Sequence, residues 1–188
     1  MLRLILSLCT AVLVVLLASP GLSHAQEGIV MLYTDVAFTA CNAVSPAGVL
    51  TIYVVYELHD GARSLRYAIT EDSGGALVHL ADQNQFTLVT GNSQTGVDIS
   101  FDGCLQGAIH VQNVLYSILS PPPTCTFIVV MPDPTAPTGR IEGTDCGNVK
   151  RYPISSQASV DHDGSCPCGV VCCPAETSTW GRVKGLYQ

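Results

Sequence analysis

The 188-residue chain has little charge. Only 12% of its residues are Asp, Glu, Lys or Arg, and 15 acidic residues outnumber 8 basic ones, for a formal net charge of −7. That balance argues against non-specific nucleic-acid binding, which needs a basic patch to displace counterions. After residue 25 there is no apolar run long enough to span a bilayer. Residues 28–148 lack the 3.6-residue period of a long helix, and no strand–helix rhythm points to a doubly wound fold. Apolar residues, by contrast, make up 47% of the chain, which rules out a disordered polymer. The length suits one ordinary domain, with a second small module as the upper limit.

Residues 1–25 read as a secretory signal peptide. Arg3 is a short positive start, Leu4 to Ala18 is apolar, and Pro20-Gly21 breaks the run. Ser23-His24-Ala25 places small residues at −3 and −1 of a cleavage site after Ala25. Cleavage removes Cys9 and leaves eight of the nine cysteines. An even count in an exported chain reads as disulfides. The expected location is therefore secreted, cell-surface or periplasmic, with no membrane association after cleavage.

Residues 26–148 read as an antiparallel β-sandwich of immunoglobulin-like type, a barrel being the alternative. The expected strands are Gly28–Tyr33, Val49–Leu58, Ser64–Thr70, Phe86–Val89, Gly96–Phe101, Ala108–Leu119, Thr126–Met131 and Arg140–Thr144. Asp60-Gly61 reads as a turn between the second and third. A parity shift between Val111 and Val114 predicts a bulge near Gln112-Asn113. Residues 149–176 read as an irregular, cross-linked, Cys-rich segment. Residues 177–188 form a Trp-containing tail, read as a short helix capped by Ser178 or Thr179, with Trp180, Val183 and Tyr187 on one face.

The disulfide candidates are Cys41, Cys104, Cys125, Cys146, Cys166, Cys168, Cys172 and Cys173. The preferred pairing of the first four is Cys41–Cys104 with Cys125–Cys146, although four cysteines allow three pairings. Cys166, Cys168, Cys172 and Cys173 fall within eight residues, and as thiolates they would suit a soft ion such as Cu(I). In an oxidising compartment disulfides are the expected state. Asp161-His162-Asp163 reads as a solvated acidic turn. Asp133, Asp145, Asp161 and Asp163 could offer oxygen to calcium, but no EF-hand spacing supports it.

Catalytic signatures are absent: there is no nucleophile elbow and no zinc helix. Gly91-Asn-Ser93-Gln-Thr imitates the elbow only superficially. The spacing of His59, His79 and His110 links none of them. Glu57, Asp98 and Glu142 are the strand-borne carboxylates, and each reads as an outward, solubilising charge. No catalytic residue and no cofactor is implied.

The run Gly28 to Cys146 resembles a group of secreted bacterial β-sandwich proteins with no established activity. The resemblance rests on Gly28-Ile-Val-Met-Leu-Tyr-Thr-Asp, Thr39-Ala-Cys41, Leu50-Thr-Ile-Tyr-Val-Val, Gly91-Asn-Ser-Gln-Thr-Gly96, Met131-Pro-Asp-Pro-Thr and Ile141-Glu-Gly-Thr-Asp-Cys146. The end, Thr179-Trp-Gly-Arg-Val-Lys-Gly-Leu-Tyr187, resembles the TWGxxKxLY tail of that group. In strand layout the chain also resembles cohesin-like and carbohydrate-binding sandwiches. These resemblances imply export and a sandwich domain, and they carry over no functional residue. The expectation is a non-enzymatic domain that binds or assembles with another extracellular protein or a cell-surface component. A thiol-rich copper module and a hydrolase of extracellular polymer are the alternatives.

Overall fold

The computed structural model describes residues 28–44, 46–123, 125–161 and 164–170. The expected signal peptide, Cys172, Cys173 and the tail with Trp180, Val183 and Tyr187 lie outside the described residues. The described residues are all-β and contain no helix. The strands are β1 (Ile29–Tyr33), β2 (Asn42–Val44), β3 (Val49–Glu71), β4 (Leu77–Asn84), β5 (Leu88–Asn92), β6 (Gly96–Ile118), β7 (Thr126–Met131), β8 (Glu142–Asp145), β9 (Lys150–Arg151), β10 (Ile154–Asp161) and β11 (Gly169–Val170).

Two 23-residue strands, β3 and β6, pair antiparallel and run through both layers. In one layer β1 and β4 flank their first pairing block, giving the order β1–β3–β6–β4. In the other, β8 and β5 flank their second block. The far end of β3 pairs with β7, β7 with β10, and β10 runs parallel to the start of β1. The sheet therefore wraps back on itself along that side.

Asp60-Gly61 is a bend and not a reversal. The segments before and after it pair with different parts of β6, Val49–Leu58 with Gly107–Ser117 and Ser64–Tyr67 with Val97–Ser100. The register shifts at Leu58/Ala62 and Ala62/Ser64 mark the corner where both strands change layer. The bulge expected in β6 falls at Val111, between the pairs Val55↔His110 and Val54↔Gln112.

Two strands correct the sequence reading. In β4 the extra residue Leu80, between His79 and Ala81, shifts the parity and hides the alternation. β10 lies inside the segment read as irregular. Its Ser156, Ala158, Ser159, Val160 and Asp161 are all buried. The Ser156 hydroxyl is satisfied there, accepting the Leu32 N–H at 2.8 Å, whereas Ser159 Oγ has no partner among the described residues.

The core fills the space between layers with Leu32, Ile52, Val54, Leu65, Ile99, Val114 and three fully buried tyrosines, Tyr56, Tyr67 and Tyr116. The Tyr67 hydroxyl donates to Oε1 of the equally buried Gln112. The Gln112 amide nitrogen has no partner among the described residues. Tyr67→Phe strips the remaining bond and should cost about 2 kcal/mol, the penalty of an orphaned buried acceptor. Adding Gln112→Leu should recover most of that loss. Denaturant unfolding of the two variants checks both signs.

The disulfides differ from the preferred pairing. Cys41 bonds Cys168, Cys104 bonds Cys146, and Cys125 bonds Cys166. The Cys104–Cys146 bridge ties the layer-changing corner of β6 to the end of β8. The other two fasten residues 164–168 over β10. The pairing follows from β10, which brings the late cysteines beside β2 and β7. Once β10 is read as irregular, nothing in the sequence places them there.

Candidate binding face

The outer face of the β1–β3–β6–β4 layer carries almost no charge. Along the paired rows, Tyr33, Tyr53, Asn113 and Gln83 stand side by side, and next to them Met31, Val55 and His110. Glu57 is the one carboxylate on this face among the described residues of β1 and of the β3 and β6 blocks that pair in this layer. Val49, Val78 and Leu80 are exposed along its far side at 56%, 42% and 52%.

A half-buried aromatic cluster sits at the β1 end of the face. The Phe38 ring lies 5.8 Å from Tyr33, 5.9 Å from Tyr53 and 5.2 Å from His110. Tyr53 and His110 are 5.9 Å apart. The rings are tilted to one another by 43–65°. His110 Nε2 is hydrogen-bonded to Asn113 Oδ1 at 2.7 Å, and the Tyr33 hydroxyl donates to the Met31 sulfur at 3.1 Å.

Phe38 reaches the sheet from the loop 34–41. Asp35 organises that loop: Oδ1 accepts the N–H groups of Thr39 (2.8 Å) and Ala40 (2.7 Å), and Oδ2 accepts the Thr39 hydroxyl (2.7 Å). Thr34 N–H closes it on Ala40 O at 2.7 Å. The turn places Phe38 at φ 56°, a conformation that costs a side-chain-bearing residue about 1–2 kcal/mol. Surrounding contacts must hold such strain. Cys41, at the end of the loop, is anchored to Cys168.

The other layer presents a polar outer face. Thr90, Asp98, Arg66 and Glu142 lie in one cross-strand row. Arg66 Nε donates to Asp133 at 2.7 Å, and Lys150 pairs with Glu142 at 3.3 Å. Glu142, expected to point outward as a solubilising charge, is only 7% exposed. Its carboxylate accepts the Thr138 hydroxyl at 2.6 Å.

These contacts set the acid response. Burial pushes Asp133 up, but Arg66 and Thr135 outweigh it and hold the carboxyl below its ordinary range. Glu142 is lowered first by the Thr138 hydroxyl, Asp145 first by the Val149 N–H, and Asp35 first by the Ala40 N–H. Each therefore favours folding while ionised. That contribution is complete above the unfolded-state pKa of about 4 and is lost as pH falls through the lower folded values. Asp98 behaves oppositely: burial, against the pull of Arg66, raises its pKa. Asp98→Asn should raise stability at neutral pH and change nothing in strong acid. Urea midpoints measured at stepped pH check both, with the wild type losing stability below about pH 4.

Ser93, Asp82 and His79 meet at the inner edge of β4, although nothing in the sequence linked them. Ser93 Oγ donates to Asp82 Oδ1 at 2.7 Å, and His79 Nε2 lies 2.9 Å from the same oxygen. The wiring is not that of a hydrolytic triad. One ring nitrogen faces the carboxylate and also lies 3.5 Å from the serine. In a triad, opposite ring nitrogens face the two groups. Ser93 is also fully buried. The cluster caps the β5–β6 turn, where Asp82 also accepts the Ser93 N–H at 2.6 Å. His59 is exposed on β3.

Asp161, expected in a solvated turn, is fully buried and accepts the N–H groups of Gly164 and Cys166 at 2.7 and 2.8 Å. Asp133 and Asp145 are engaged by Arg66 and Arg151. Among the described residues no three His, Cys, Asp or Glu side chains are grouped to hold a metal ion. Cys166 and Cys168 are spent in disulfides, so a four-thiol site with Cys172 and Cys173 cannot form. Two surface depressions, of about 370 and 350 Å³, each include one carboxylate, Asp161 and Asp98 respectively. Neither holds the carboxylate pair that glycoside hydrolysis needs.

No family model and no curated protein matches the sequence. The fold, however, is cohesin-like. The sixth cohesin of scaffoldin B from Acetivibrio cellulolyticus superposes with a TM-score of 0.51 at 12% identity, over 72% of this chain and 99% of that one. A cohesin module of a family 33 glycoside hydrolase from Clostridium perfringens gives 0.50 at 7% identity, over 72% and 98%. Among the described residues no helix is long and apolar enough to cross a membrane.

Proposed function

We propose that this chain is a secreted, non-enzymatic module that binds or assembles with another extracellular protein through the outer face of the β1–β3–β6–β4 layer. The observation that carries the reading is the aromatic cluster on a nearly charge-free face, with Phe38 held there at a conformational cost. Protein-binding patches are depleted in charge at their centre and enriched in aromatic anchors. The partner this chemistry fits is a protein offering apolar side chains to the gaps between tilted rings. A polysaccharide chain is a poorer match, because the rings do not share a plane.

The fold supports the same class of role. The Acetivibrio cellulolyticus cohesin was solved in complex with a dockerin, another protein. Three disulfides suit an oxidising, extracellular setting. The copper-module and hydrolase alternatives are not favoured, the first for want of free thiols at Cys166 and Cys168, the second for want of a carboxylate pair in either depression. The tail with Trp180, Val183 and Tyr187 stays a second candidate contact. Deleting residues 177–188 tests it: lost surface retention at an unchanged melting temperature supports docking, and a lower melting temperature supports packing on the domain.

Tyr53→Arg tests the main reading. Binding of the folded, secreted protein to the extracellular proteins of its own producing cells should fall by about tenfold or more, as for a lost interface anchor. Asp98→Ala, on the polar face, should leave it unchanged. Equal binding by wild type and Tyr53→Arg would remove this face from the account.

A further inference from the structure

The three bridges differ in their exposure. Cys166 is buried, and Cys41, Cys125, Cys146 and Cys168 are half-buried. Cys104 is the one exposed residue of the six. It sits where β6 changes layer, with Gly103 before it and Gly107 three residues on. A Cβ at either glycine would have no other part of the described chain within 4 Å. The Cys146 side of the bridge is covered. A Cβ at Gly61 would come within 2.8 Å of Cys146 Sγ, so the β3 backbone lies against that sulfur. Solvent therefore reaches the bridge from the Cys104 side.

Two polar groups stand beside the bridge. Gln106 Nε2 lies 3.4 Å from Cys104 Sγ and 3.9 Å from Cys146 Sγ. Arg63 Nε donates to Cys146 O at 3.4 Å, which brings a guanidinium next to the covered cysteine. An N–H donor and a positive charge both favour a thiolate over a thiol. The neighbouring carboxylate, Asp145, is paired with Arg151 at 2.7 Å. What the bridge holds is local. β8 is paired with β3 at Ala62 and Ser64–Arg66, and Asp145 also accepts the Val149 N–H at 2.8 Å. Opening the bridge frees the β6 corner from β8 without unpairing a strand.

We infer that Cys104–Cys146 is a thiol-exchange site that takes a low-molecular-weight thiol, RSH. Its thiolate attacks Cys104 Sγ from solvent. A bond forms between the two sulfurs, the Cys104–Cys146 bond breaks, and its electron pair leaves on Cys146 Sγ. The products are the mixed disulfide of Cys104 with R and the Cys146 thiolate beside Gln106 and Arg63. One disulfide replaces another, so the step has no net oxidation or reduction. Attack of Cys146 on Cys104 reverses it and releases RS⁻. The inference does not rest on the aromatic face, which contains none of these residues.

The test incubates the folded, oxidised, secreted chain with reduced glutathione, quenches with a thiol-alkylating reagent at intervals and maps the peptides. Cys104 should acquire glutathione and Cys146 the alkyl group, on the order of tenfold faster than either other bridge opens. Urea below the unfolding transition should leave that rate unchanged, because the exchange needs no unfolding. Glutathione on Cys146 instead of Cys104, earlier opening of Cys41–Cys168 or Cys125–Cys166, a rate that climbs with urea, or no adduct at all would overturn the inference.

Discussion

Replacing Cys41 and Cys168 together with serine should lower stability by about 3 kcal/mol, or roughly 6–12 °C in melting temperature. The bridge closes a 127-residue separation. The chain-entropy account assigns such a loop about 1 kcal/mol more than the 42-residue separation of Cys104–Cys146. The loss should also be local. Cys41 ends the loop that aims Phe38 and leads into β2, and the Ser159 N–H of β10 bonds Cys41 O at 2.9 Å just ahead of the β2–β10 pairing. Amide exchange should quicken first in residues 34–44. A drop spread evenly over the sheet would mean that the bridge acts only through the unfolded chain.

The second large effect is expected at the corner of β3. Gly61 has φ +73°, and a Cβ there would lie 2.7 Å from Leu105 O and 2.8 Å from Cys146 Sγ. Backbone and a bridged sulfur cannot move aside cheaply. Gly61→Val should therefore cost about 3–5 kcal/mol, the left-handed penalty plus displacement of the corner. Gly107 is the control. Its φ is +75°, but nothing lies within 4 Å of a Cβ there. Gly107→Ala should lose only about 1 kcal/mol. Similar losses at both positions would show that conformation, and not the close approach at the corner, sets the cost.

Much of the sandwich was legible in the sequence because its inner faces alternate. Val97, Ile99 and Phe101, and likewise Leu50, Ile52, Val54 and Tyr56, are buried as the period of two requires. What was not legible has identifiable causes. Asp60-Gly61 is locally a turn pair, and only the partner segments on β6 make it a bend. Leu80 breaks the alternation of β4 by one residue. β10 buries serines and an aspartate under a disulfide-fastened segment, which hydropathy reads as exposed. The wrong disulfide pairing follows from that single miss.

The binding face was less legible. Tyr53 lies in an expected strand, but its role depends on Phe38, which comes from a loop. The only signal for that loop is Asp35 four residues before Thr39, a spacing suited to a side-chain-closed turn. Ser93, His79 and Asp82 teach the reverse lesson. Their residue types suggest chemistry, and their wiring supplies only a turn cap.

The account turns on which face meets another protein. The most direct measurement places a photo-crosslinking side chain at position 53 in one secreted sample and at position 98 in another, in the presence of the extracellular proteins of the producing cells. The account predicts one defined cross-linked protein from position 53, competed away by excess unlabelled chain, and none from position 98. Cross-linking from position 98 alone, or from neither position, would contradict it.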